Sequence, residues 1–225
     1  ALQRDPNDAR ARVNYGVALS RRGDEGAAIE CFDQVAESQD AAIELKDAAI
    51  EHKAWAILNR ALSRARLGDT GAAIQDCTEV MRLQRASVRL IAEAVVQRGI
   101  LHAHGGDPAS AIRDYAAVIG LPDAPSEQVA KAHLGRAQEY LRRMEFESAI
   151  RDVTAVLGLS NVPAQLVPFA LQFRAICFGI QGDADAAIRD YTAVIDTAGV
   201  DVSTIAHALL NRSLSYGTLG DNGAA

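Results

Sequence analysis

The sequence is poor in the residues that mark most chemistries. Among 225 residues there are three cysteines, one tryptophan, two methionines and only 5% aromatics. Cys31, Cys77 and Cys177 are far apart and form no CxxC, so the spacing offers no zinc knuckle, no dithiol pair and no disulfide framework. All three lie in alanine-rich text, where a free thiol behaves as a small core residue and fits a reducing, cytoplasmic setting. No apolar run approaches the roughly 18 uncharged residues of a membrane-spanning helix. The net charge of -6 argues against a nucleic-acid-binding surface. GxGxxG, GxxxxGK[ST], HExxH and GxSxG are absent, and with them the usual signatures of nucleotide, metalloprotease and esterase chemistry. His102 and His104 alternate, which on a helix points the two rings about 200° apart, a poor metal pair. No enzyme, cofactor or metal is expected.

What is present is repetition. The phrases Gly23-Asp24…Ala28-Ile29, Gly68-Asp69…Ala73-Ile74, Gly106-Asp107…Ala111-Ile112, Met144-Glu145…Ala149-Ile150 and Gly182-Asp183…Ala187-Ile188 recur, and Gly220-Asp221 opens a sixth copy. The isoleucines are 45, 38, 38 and 38 residues apart. Each copy reads as two helices. In the fifth, Phe169, Phe173, Ile176 and Ile180 have helical spacing, Gly182-Asp183 breaks the helix and caps the next, and Ala187, Ile188, Tyr191, Val194 and Ile195 form a second apolar face. Short helix pairs that cannot bury their own faces must stack on neighbours. The fold expected is therefore all-α, a right-handed α-solenoid of stacked antiparallel helix pairs, with units near 9–40, 41–86, 87–124, 125–162, 163–200 and 201–225.

Finer expectations follow from the same text. Small residues at Gly16, Ala61, Gly99, Ala137, Ala175 and Ser213 in first helices, and at Ala28, Ala73, Ala111, Ala149 and Ala187 in second helices, allow close backbone approach. The stretch from Ala41 to Leu67 reads as one long helix, with Ser87, Ser126 and Ser203 as helix-start caps. Pro168 requires a late start or a kink.

A charge pattern keeps the same step. Arg60, Arg98, Arg136 and Arg174 each precede Asp76, Asp114, Asp152 and Asp190 by 16 residues, with the Gly-Asp break midway. Residues equidistant from the turn of an antiparallel hairpin sit at one height, so each arginine is expected to form a structural ion pair with its aspartate. In the first unit, Tyr15 and Cys31 replace both partners together. An arginine ladder for an anionic ligand is the rival reading, and it is disfavoured because charges near a core need partners.

These features resemble tetratricopeptide repeats. The first unit carries the likeness best, with Asp5-Pro6-Asn7, Tyr15-Gly16, Leu19, Gly23-Asp24, Ala28-Ile29 and Phe32. It departs from the family in its 38-residue step, where the family repeat is 34, and in Ile57 at the usual tryptophan column. The resemblance implies a concave groove lined by first helices that holds a peptide or helix of a protein partner. The transferred columns are Trp55, Leu58, Asn59, Leu62 and Arg66; Glu93, Val96, Gln97, Ile100 and His104; Lys131, Leu134, Gln138 and Arg142; and Phe169, Gln172, Phe173, Ile176 and Ile180. Glu93 and Gly135 stand where a carboxylate clamp would want basic residues. The function expected is a non-catalytic scaffold, with neither nucleic acid nor membrane as partner. The alternative is a regulatory array acting on an effector domain of a longer polypeptide, since residue 1 falls inside a helix and no initiator methionine or leader is present. Self-association through array ends is a further expectation.

Overall fold

The computed structural model describes residues 8–37 and 47–220. Among these are eleven α-helices and no strand: α1 (Ala9–Arg21), α2 (Glu25–Ala36), α3 (Asp47–Arg66), α4 (Thr70–Arg82), α5 (Val88–His104), α6 (Pro108–Ile119), α7 (Ser126–Arg142), α8 (Phe146–Leu157), α9 (Leu166–Gln181), α10 (Ala184–Asp196) and α11 (Val202–Leu219). They fall into two compact units, Ala1–Pro125 and Ser126–Ala225. In each unit consecutive helices pack on one another, and successive first helices also touch: α1 on α3, α3 on α5, and α7 on α9. The fold is all-α, and within each unit antiparallel helix pairs stack in chain order.

Each core is a series of apolar clusters shared by neighbouring helices. In the first unit Val13, Ala28, Phe32 and Ala56 join α1, α2 and α3, and Ile57, Leu58, Ala73, Cys77, Val80 and Leu90 join α3, α4 and α5. In the second, Ala130, Ala149, Val153 and Ala170 link α7 to α9, and Ala175, Ala187, Tyr191 and Ala208 link α9 to α11. The small-residue column is matched to what faces it. A Cβ on Gly16 would lie 2.6 Å from the Phe32 ring, and one on Gly99 2.7 Å from the Tyr115 ring.

Helix starts follow the sequence closely. Asp24, Asp69, Asp107 and Asp183 accept backbone N–H bonds at the starts of α2, α4, α6 and α10. Ser87 caps α5. The cap of α11 is Asp201, not Ser203, because the helix begins one residue after the aspartate and its carboxylate takes the Thr204 N–H. Ser126 is itself the first residue of α7. Pro168 causes no kink: α9 starts at Leu166, so the proline sits in the first turn, where its missing N–H has no intrahelical partner to lose. The long helix expected from Ala41 is described only from Asp47, as α3; its first six residues lie outside the described ones.

The turn inside each pair needs a left-handed residue. Gly23, Gly68, Gly106 and Gly182 have φ between 80° and 86°, whereas Met144 holds the same column at 61° with its side chain exposed. Glu145, after it, makes no side-chain cap bond. The left-handed region costs a non-glycine residue about 1 kcal/mol. Met144→Gly is expected to raise stability by up to about 1 kcal/mol, read as a higher denaturant midpoint with unchanged slope. A lower midpoint would contradict the reading.

Candidate functional site

Four arginines grip four aspartates across the helix pairs. Arg60 Nε and Nη2 donate to Asp76 at 3.1 and 2.7 Å. Arg98 meets Asp114 at 2.9 and 2.6 Å. Arg136 meets Asp152 at 2.8 and 2.6 Å, and Arg174 meets Asp190 at 2.8 Å twice. Each is a two-pronged, charge-assisted pair, and all four aspartates are buried. The third prong reaches back to the preceding pair. Arg60 Nη1 donates to Asp33 at 2.8 Å, Arg98 Nη1 to Thr78 at 3.1 Å, Arg174 Nη1 to Thr154 at 3.1 Å and Arg212 Nη1 to Thr192 at 3.2 Å. Sequence reading missed this Asp33/Thr78/Thr154/Thr192 column, although it recurs with the repeat; Ala116 holds it once without a hydroxyl. The paired arginines are thus occupied by the protein itself, so the four forks offer little to an external anion.

Histidines enter this network as auxiliaries. His133 Nδ1 lies 2.9 Å from Asp152 Oδ1, and His102 Nε2 is 3.9 Å from Asp114. Burial alone would raise the Asp152 carboxyl, but the bonds from Arg136 and His133 outweigh it and hold it below the usual aspartate range. A depressed folded-state value stabilises the fold above the unfolded value near 4 and ceases to do so as pH falls through the folded one. Asp152→Asn is therefore expected to be clearly less stable than the parent chain at pH 7, with the gap closing below about pH 4. A gap independent of pH, in paired urea titrations, would exclude this role. Burial pushes the Cys77 thiol up to about 12 and Cys177 to about 11, so neither is a nucleophile at neutral pH. Among the described residues no group of three or more His, Cys, Asp or Glu side chains is placed to hold a metal ion, and no helix is long and apolar enough to cross a membrane.

The groove columns divide sharply. Leu58, Val96 and Leu134 are 2%, 1% and 8% exposed, which corrects their assignment as lining: packing between neighbouring helices takes their surface. Trp55 is half-buried against the clusters on either side, and Asn59 Nδ2 donates to its carbonyl at 2.8 Å. Leu62, Glu93, Gln97 and Ile100 are half-buried, while His104 and Gln138 are exposed. Three cations are already paired. Arg66 reaches the buried Glu25 at 3.4 Å, Arg142 the buried Glu139 at 2.9 Å, and Lys131 meets Glu127 at 2.6 Å on its own helix.

The α9 stripe differs from the rest. Phe169 and Ile180 are each 54% exposed and Ile176 is 36%. Gln172 and Phe173 are half-buried; the Phe173 ring packs on the second unit's core and lies 6.4 Å from the Phe169 ring, tilted by 31°. The only charge on α9, Arg174, is occupied by Asp190. Two exposed leucines on α11, Leu210 and Leu214, extend the stripe in the columns of Gln172 and Ile176. Sequence reading passed over them, although the 38-residue step already pointed there. Beside Phe169 and Gln172 opens a cleft of about 480 Å³, walled by Pro168, Thr197, Val200 and Thr204.

Residues 9–47 match the family described as Tetratricopeptide repeat. No curated protein matches the chain. Solved structures match over most of its length. PilW, a type IV pilus biogenesis factor, is 17% identical, with 97% of this chain and 89% of that one covered at a TM-score of 0.71. A tetratricopeptide repeat protein from Parabacteroides merdae is 16% identical over 96% of this chain and 75% of that one, at 0.66. YrrB, a tetratricopeptide-repeat protein with an unusual peptide-binding site, is 14% identical over 93% and 95%, at 0.57. At such identities the likeness carries the fold alone: the chain is built of stacked helix pairs like those of tetratricopeptide-repeat structures, and only residues 9–47 match the family itself.

Proposed function

We propose that the protein is a non-catalytic scaffold that binds an apolar, helical segment of a partner protein along the first-helix face of its second unit. The observation that carries this is the uncharged stripe of Phe169, Phe173, Ile176 and Ile180, continued by Leu210 and Leu214. Apolar side chains left bare at this density are unusual for a monomer. With no free charge among them, the complementary ligand is an amphipathic helix presenting apolar side chains at i, i+3 or i+4, and i+7. The filled arginine forks and the raised thiols support a binding role over a chemical one. The peptide-binding YrrB, of the same fold, is consistent with it.

Selection of short peptides from a random library against the chain tests the reading. The expected winners are amphipathic, and Phe169→Glu or Ile180→Glu is expected to weaken them at least about tenfold, the behaviour of interface anchors. Both side chains are exposed, so the unfolding midpoint should not move. Phe173→Glu should lower stability as well, because its ring also packs on the core. Unchanged affinity in the two surface variants would exclude this face.

A further inference from the structure

The cleft beside Phe169 has a counterpart in the first unit, and there side chains bridge it. Glu51 on α3 accepts from the Ser87 N–H at 3.1 Å and from the Ser87 hydroxyl at 2.6 Å. Arg85, two residues before that serine, reaches Asp47 at the start of α3 at 2.5 Å. Three 38-residue steps later the columns of Glu51, Ser87 and Arg85 hold Gln165, Asp201 and Gly199. No bond joins Gln165 to Asp201, and Gly199 has no side chain to reach across. The backbone is nonetheless alike, with φ of 72° at Arg85 and 78° at Gly199. The space left between α9 and the α10–α11 loop is the cleft of about 480 Å³.

This space has an anion and no cation. Asp201 stands exposed in its wall, and no basic residue lines it. The Asp201 oxygens accept from the Thr204 hydroxyl at 2.6 Å and the Thr204 N–H at 2.9 Å, bonds that hold the carboxyl below the usual aspartate range and keep it charged at neutral pH. Each oxygen keeps a further lone pair, and among the described residues no arginine or lysine pairs with it. Pro168, Phe169 and Val200 give the same space apolar walls, which suit the methylene stem of a long basic side chain.

We infer that the partner helix carries an arginine at the end of its apolar face that meets Phe169, and that this side chain enters the cleft and pairs with Asp201. It brings to the second unit the guanidinium that Arg85 brings to the first. Arginine suits the place better than lysine, because its planar fork matches a carboxylate with two parallel bonds and stacks on an aromatic ring. Phe169 is such a ring in the wall, and Arg174 already sits 5.9 Å from the Phe178 ring on the same helix. The α9 stripe as docking face is the premise here; the acidic cleft adds a selectivity for charge that the uncharged stripe lacks.

The probe is a stapled amphipathic helix with leucines at i, i+4, i+7 and i+11, so that helix formation does not limit binding, and with arginine one turn beyond each end of that row. Its twin carries citrulline, the uncharged isostere, at both places. Both are titrated into the 225-residue chain at about 150 mM salt, where general attraction to a net charge of -6 is screened. The arginine peptide is expected to bind at least about tenfold tighter. Asp201→Asn keeps a cap on α11 and should abolish that preference while leaving the citrulline peptide's affinity unchanged. Gly199→Arg, on a backbone that Arg85 already adopts, should abolish it by pairing Asp201 from within. Equal affinities for the two peptides, or a preference that survives Asp201→Asn, would overturn the arginine assignment and leave the stripe as a docking face. No binding of either peptide at millimolar concentration would overturn both.

Discussion

Replacing Asp114 by alanine is expected to lower stability by roughly 2–4 kcal/mol, among the largest effects available to a single substitution here. Its carboxylate is buried and takes two bonds from Arg98, whose side chain is 20% exposed. Without it the guanidinium keeps only the Thr78 hydroxyl, and a half-buried charge is left uncompensated. Arg98→Ala strands the carboxylate in turn and should cost a similar amount. The double variant should then cost little more than either single one, because the second substitution removes the stranded charge. Additive losses in urea titrations would show that the two side chains act independently. The first repeat makes the same point within this chain, since Tyr15 and Cys31 stand in the two columns and the hairpin forms without a pair. The pairs are thus better read as fixing register and linking neighbours than as the driving force of folding. Burial of the apolar faces supplies that force.

Gly99→Ala is expected to destabilise although alanine is the better helix former. The new Cβ would lie 2.7 Å from the Tyr115 ring, and that ring is only 2% exposed, with no free space to retreat into. Overpacking of this kind costs roughly 1–3 kcal/mol, against a gain of about 1 from helix propensity. The net loss should shrink when Tyr115→Val is added, which copies the Ala137–Val153 pairing of the fourth repeat. A stabilised Gly99→Ala variant, or an equal loss in the Tyr115→Val background, would show that the ring does not set the helix separation.

The parts of the fold that repeat were legible in the sequence, because a repeated letter reports a repeated environment. The Gly-Asp turns, the aspartate caps, the small columns and the 16-residue spacing of arginine and aspartate are all of this kind. Where one residue substitutes for another in a column, local chemistry decides the outcome. Met144 takes the left-handed turn without being glycine, and Asp201 displaces Ser203 as a cap because the helix already begins at Val202, which puts the Thr204 N–H within reach of the Asp201 carboxylate. The candidate site was harder to read, since a first helix has two apolar faces and periodicity does not say which one is covered. Leu58, Val96 and Leu134 share helical spacing with the groove columns, yet neighbouring helices cover them. Phe169, Ile176 and Ile180 of α9 carry the same pattern and stay bare. The partners of Arg66 and Arg142 were also hidden: one lies on another hairpin and the other three residues back along its own helix.

Hydrogen exchange of the chain, free and saturated with a selected peptide, tests the binding claim most directly. Slowed exchange concentrated in Leu166–Gln181 and along α11, with α10 and the second helices of the first unit unchanged, is the predicted result. Protection confined to the second helices, or no protection at saturating peptide, would contradict it.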